Sequence, residues 1–191
     1  MDINLYDDSL SQFLRVYPDA LTHEQCDKLI AFCDNSETHK GPVYKSDNPG
    51  ASIDLSMKDA DQVHVPKGSN EDIMLFNSLG TLLNRYTSEF DFYPTSASID
   101  QGYQIQRYEI DQGHFEWHTD ASSLGISKRI IVALWYLNDV EEGGETEFGW
   151  GEKIKPTAGS AIIFPSNWLY AHKGHKPISN RKYIATTWIG F

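Results

Sequence analysis

Apolar and polar positions follow two different rhythms along this chain. Thr22-His-Glu-Gln25 is a capping-box pattern, in which hydroxyl and amide cap one another's backbone, and it predicts a helix running to about Asn35. Ile73, Phe76, Leu79, Leu82, Leu83 and Tyr86 recur at helical spacing and predict a second amphipathic helix from about Ser69 to Phe90. Residues 12–17 read as an opening strand. Residues 38–67 are polar, rich in Gly, Pro, Ser and Asp, and weakly periodic. The default reading of that stretch is a surface loop with one short strand, the alternative a functional lid.

From residue 101 the rhythm changes to β. Candidate strands are 103–110, 115–120, 128–138, 145–148, 160–164, 169–174 and 182–190, separated by turn signals such as Glu-Glu-Gly-Gly and Thr-Ala-Gly-Ser. The expected fold is mainly β, a sandwich or barrel such as a jelly roll, with the early helices packed outside. The 191 residues suit one domain, with 1–100 as support and 101–191 as the core, and no internal repeat or low-complexity segment interrupts it.

Composition narrows the partners. The formal net charge is −11, which argues against nucleic acid, because phosphate binding needs a basic surface, and suits a basic peptide or a small metabolite. No apolar run is long enough to span a membrane. The opening MDINLYDDSL is acidic and lacks the basic and apolar regions of a signal peptide, so the expected location is a cytoplasm, the host's if the source is viral. Cys26 and Cys33 both fall in the first predicted helix. Seven residues of helix separate them by about 10 Å, too far for a disulfide, so reduced core thiols are expected.

Among seven histidines, His118-Thr-Asp120 is the informative pair, because residues i and i+2 of a strand share a face. With His172 downstream it makes two imidazoles and one carboxylate, the set that leaves open positions on Fe(II) in non-haem oxygenases. His175 lies close enough to His172 to compete for the third place. A zinc hydrolase built on His114 and His118 is the rival metal reading, but their i,i+4 spacing needs a helix and no His-Glu-x-x-His pattern is present. His114 is therefore read with His23, His39 and His64 as surface or structural. In the final segment, alternation sends Lys182, Ile184, Thr186 and Trp188 to one face. A lysine among apolar inward positions calls for an anion: either a protein carboxylate or, beside the metal set, a bound ligand.

These residues stand in Arg-Tyr-Glu-Ile-Asp-Gln-Gly-His-Phe-Glu-Trp-His-Thr-Asp (107–120), Leu-Trp-Tyr-Leu-Asn (134–138), Glu-Gly-Gly-Glu-Thr-Glu-Phe (142–148), residues 154–166, His172 and Lys-Tyr-Ile-Ala-Thr-Thr-Trp (182–188). In order and spacing the set resembles the 2-oxoglutarate/Fe(II) dioxygenase superfamily, and within it the prolyl 4-hydroxylase-like group, in its compact bacterial and phage form. The resemblance is close over 101–191 and looser before that. It implies a double-stranded β-helix of the jelly-roll or cupin-like kind. It also implies iron on His118, Asp120 and His172, the last favoured over His175 by its ten-residue interval to Lys182. Lys182 and Tyr136 would hold the distal carboxylate of 2-oxoglutarate, with Tyr108 and Thr186 lining that pocket. Arg129 and Trp188 would border the substrate, and 38–67 would cover it, though without the arginine pattern of collagen-type enzymes. The implied activity is hydroxylation of a prolyl residue in a peptide or protein, consuming O2 and yielding succinate and CO2, with ascorbate as a candidate reductant. Rival activities are hydroxylation of a free amino acid or small metabolite, nucleic-acid demethylation, which the charge disfavours, and a non-catalytic cupin-like binding protein.

Overall fold

The computed structural model describes residues 11–45, 48–90, 93–94, 96–97 and 99–191; the acidic opening segment on which the leader expectation rests lies outside them. After a 3-10 turn at Ser11–Phe13, strand β1 (Arg15–Tyr17) leads into helix α1 (His23–Asp34), whose capping box is formed as the sequence predicts. Five short strands follow: β2 (His39–Lys40), β3 (Val43–Lys45), β4 (Asn48–Ser52), β5 (Lys58–Asp59) and β6 (Asp61–His64). Helix α2 (Asn70–Glu89) starts at an N-cap in which Ser69 accepts from the backbone N–H of Asp72. The rest is β7 (Ile99–Asp100), β8 (Gln104–Tyr108), β9 (His114–His118), β10 (Arg129–Tyr136), β11 (Thr146–Phe148), β12 (Lys153–Ile154), β13 (Ala161–Pro165), β14 (His172–Gly174) and β15 (Lys182–Gly190).

These strands form two principal antiparallel sheets. The major sheet has the order β1-β13-β10-β15-β8-β6-β2, with β7 paired to the end of β15; the minor sheet runs β12-β11-β14-β9-β5. Side chains alternate between two cores. Ile131, Ala133, Trp135, Ile163, Tyr183 and Ala185 face outward onto Leu29, Leu75, Leu79 and Leu82 of the helices. Val132, Leu134, Tyr136, Ile162, Phe164 and Ile184 face inward onto Phe148 and Phe115 of the minor sheet. Trp135 Nε1 donates to Ser78 (2.9 Å) and Tyr183 OH to Asp34 (2.9 Å), fastening both helices to the back of the major sheet. The mainly β architecture with outer helices is as expected.

Several boundaries differ. The segment 38–67 is not a loop with one strand: it supplies β5 to the minor sheet and β2 and β6 to the major one, and β3 and β4 pair with each other. Its buried positions mix polar Lys58 and Gln62 with small apolar residues such as Ala60, so no clean apolar alternation marked them. Ile73 and Phe76, counted with the apolar face of α2, are exposed; the buried stripe is Leu75, Leu79, Leu82 and Tyr86. The strand expected at 169–174 is half a 3-10 turn, Trp168–Tyr170, and the opening strand at 12–17 likewise begins as one. Cys26 and Cys33 are buried and unpaired in α1, as expected.

Candidate metal centre and its cavity

His118 and His172 are opposite residues in the antiparallel pairing of β9 with β14, and their ring centroids lie 4.2 Å apart. Asp120 is not on the strand face that the i,i+2 argument assumed. It follows the end of β9 in a turn, where it is nevertheless buried, with Oδ2 3.5 Å from His172 Nε2. One ligand atom from each of His118, Asp120 and His172 falls within 4.8 Å of the others, and no other such group occurs among the described residues.

Both imidazoles are held in one tautomer. His118 Nδ1 donates to the Glu116 carbonyl (2.8 Å) and His172 Nδ1 to the Tyr170 carbonyl (3.0 Å). A carbonyl only accepts, so each Nδ1 carries a proton, and in the neutral ring Nε2 is the nitrogen with the lone pair. Phe115 stacks on His118, while Phe148 and Phe164 flank His172. Burial, followed by the field of His172, pushes the His118 pKa down to about 3, so the ring stays neutral, as a metal ligand must be.

The other candidates divide. His175 points away to a hydrogen bond with Glu147, and His114 Nδ1 donates to the Gln112 carbonyl; neither belongs to the cluster. Lys182 is buried in β15 opposite Tyr108, with its ammonium 5.4 Å from the Tyr108 ring centre and 5.6 Å from that of Tyr136. No ion pair of Lys182 forms among the described residues. Burial lowers its pKa to about 7, opposed by the field of Glu145. Tyr136 OH donates to Thr146, Tyr108 OH to Gln106 and Thr186 Oγ1 to the Ala133 carbonyl. Arg129 lies over the Trp188 ring at 3.7 Å and donates to Gln101 and to the Asp120 carbonyl.

A cavity of about 970 Å³ opens beside the cluster, walled by His118, Asp120, Arg129, Trp188, Tyr44 and Lys58 among others. Lys182, Tyr108, Tyr136 and Thr186 do not line it, so a ligand reaching Lys182 has to part the side chains around it. Lys58, Gln62 and Gln104 are buried cavity residues that sequence reasoning missed. Their one signal, Gln62 alternating with His64 in β6 and Gln104 with Gln106 in β8, resembles an exposed edge, and Lys58 in the two-residue β5 gives none.

Residues 103–190 match the family described as the 2OG-Fe(II) oxygenase superfamily. That segment is similar to this superfamily. It contains the cluster, Lys182 and both tyrosines. The chain is 27% identical over 205 residues to probable prolyl 4-hydroxylase 10 of Arabidopsis thaliana, covering 91% of this chain and 67% of that protein. It is 32% identical over 138 residues to probable prolyl 4-hydroxylase 8 of the same plant, covering 70% of this chain and 43% of the relative. Among solved structures it resembles a Pseudomonas putida prolyl-4-hydroxylase (16% identity, TM-score 0.73, 97% of each chain). It also resembles the 2OG complex of the viral collagen prolyl hydroxylase from Paramecium Bursaria Chlorella virus-1 (22% identity, TM-score 0.69, 94% of this chain and 96% of that one). The shared fold is the double-stranded β-helix. No helix among the described residues is long and apolar enough to cross a membrane.

Proposed function

We propose that this chain is an Fe(II)- and 2-oxoglutarate-dependent dioxygenase that hydroxylates a prolyl residue of a peptide or protein. The observation that carries the reading is the buried cluster of His118, Asp120 and His172 inside the matched segment, with both imidazoles oriented through Nδ1 by backbone carbonyls. Two imidazoles and one carboxylate fit Fe(II) and leave room on it for further ligands. Iron and 2-oxoglutarate together supply the activation of O2, with succinate and CO2 as co-products.

The chain's own residues do the binding and orienting. Glu116 and Tyr170 hold the ligand imidazoles through their carbonyls. Lys182 offers a buried charge to the distal carboxylate of 2-oxoglutarate, beside Tyr136 and Tyr108, with Thr186 on the same strand face. Arg129 steadies the turn that carries Asp120 and, stacked on Trp188, forms part of the substrate wall. In this reading 101–191 is the catalytic core and 1–100 its support within one domain.

The prolyl preference draws on the relatives' identities and on a cavity larger than one amino acid needs. The test is succinate release from 2-oxoglutarate in air with Fe(II), ascorbate and proline-containing peptides. Peptide-stimulated succinate in wild type, absent in His172→Ala, supports the reading. Equal release from both proteins refutes it.

A further inference from the structure

The functional reading above leaves a second buried lysine unused. Lys58, from β5, is 3% exposed and lies on the cavity wall. Its ammonium donates to Gln62 Oε1 (3.2 Å) and stands 5.0 Å from the centre of the Phe115 ring, the ring that stacks on His118. The backbone makes room for it. A Cβ on Gly41 would stand 2.6 Å from Lys58 Cε and 2.7 Å from both Nζ and Gln62 Oε1. A side chain there would displace the ends of Lys58 and Gln62.

An ammonium has three donors, and Gln62 takes one. No carboxylate among the described residues lies within ion-pair distance of Lys58. The carboxylate whose field reaches it is Asp120, which is already engaged in the cluster with His118 and His172. Arg129, the second cation on this wall, uses two of its five donors on the Gln101 amide oxygen and the Asp120 carbonyl, and makes no ion pair among the described residues. Two cations on one cavity wall, sharing only the field of a carboxylate engaged in the cluster, are costly to fold and are suited to an anionic ligand.

We propose that Lys58, with Arg129 as the neighbouring cation, binds a carboxylate of the substrate. The proposal rests on the oxygenase reading and narrows its substrate class to a prolyl substrate carrying one acidic group. A single carboxylate fits better than an acidic run, because the chain's overall charge of −11 repels a polyanion outside the cavity. The carboxylate could belong to an acidic side chain beside the target proline or be the α-carboxylate of a free amino acid. The test separates these sources.

Binding is measured by calorimetry on the whole chain under nitrogen with Fe(II) and 2-oxoglutarate. One pair of probes is an acetylated peptide amide with glutamate before proline and its glutamine analogue. The other pair is L-proline and L-prolinamide. Wild type is expected to favour the acid of one pair by about tenfold, roughly the strength of one charge-assisted hydrogen bond. Lys58→Met is expected to bind acid and amide alike. Discrimination in the first pair identifies a side-chain carboxylate, and in the second an α-carboxylate. The proposal is overturned if wild type discriminates in neither pair, or if discrimination survives in Lys58→Met. Should Lys58→Met not fold, Lys58→Gln is read in the same way. Succinate release in air is scored separately: its absence with every probe counts against the oxygenase reading, whereas succinate without acid preference sinks the subsite alone.

Discussion

His172 sits directly across the β9–β14 ladder from His118, so the register of two short strands sets the spacing of the two imidazoles. Because β14 is only His172–Gly174, a shift of one residue would turn His172 away and bring a neighbour in its place. His118→Ala, Asp120→Ala and His172→Ala should each weaken Fe(II) or Mn(II) binding on the order of a hundredfold or more. His175→Ala and His114→Ala should leave it nearly unchanged. Calorimetric metal titration under nitrogen checks this; a large loss in His175→Ala would mean that the third ligand is misassigned.

Lys182→Met should raise the KM for 2-oxoglutarate by at least about tenfold, the loss expected from one charge-assisted contact, with a smaller effect on kcat. Steady-state kinetics with varied cosubstrate decides it, and an unchanged KM would remove Lys182 from the cosubstrate site.

The same lysine makes the ligand-free protein pH-sensitive. Its pKa is depressed from the ordinary 10.5 to about 7, so between these values the unfolded chain binds more protons than the folded one. The cost of burying the charge is fully present below about pH 7 and fades as pH rises toward 10.5, so this group's contribution to stability improves with pH across that window. Lys182→Met should therefore raise Tm most at or below neutral pH and least near pH 10. Thermal melts of both proteins across that range provide the measurement, and a stabilisation that grows with pH would contradict the assignment.

Burial pushes the Cys26 and Cys33 thiols up to about 11, and both lie under the back of the major sheet. Neither should react with a thiol reagent at pH 8 in the native state, and both should react after denaturation. Rapid native labelling of either would show that α1 opens readily.

Gly159 has a φ of +81°, and a Cβ there would meet the Leu21 carbonyl at 2.4 Å. Its own carbonyl accepts from Leu21 N–H, so the approach joins the start of α1 to the turn before β13. Gly159→Ala should cost about 1–3 kcal/mol, read from denaturant unfolding, without altering metal affinity.

Much of this protein is legible in one dimension. The capping box at Thr22, the stripe of α2 beyond Ser69 and the alternation of β15 mark their elements because helix and strand periods are local properties. The cluster of the candidate metal centre was legible for a different reason. His118 and Asp120 are near neighbours, and His172 keeps a fixed distance from Lys182, so their types and spacing survive in the linear text even though Asp120 lies beyond the strand it was assigned to.

What tertiary structure alone decided concerns the polar interior. Lys58, Gln62 and Gln104 face inward, but long polar side chains alternating along a strand look the same whether they face water or a cavity. Only the pairing of β5 with β9 and of β6 with β8 brings them beside the cluster. Likewise, whether Ile73 and Phe76 or Leu75 meet the sheet depends on how α2 is rotated when it docks. Sequence determines period and residue chemistry, which act over a few residues. Which face is inside is set by pairing and docking between segments far apart in the chain.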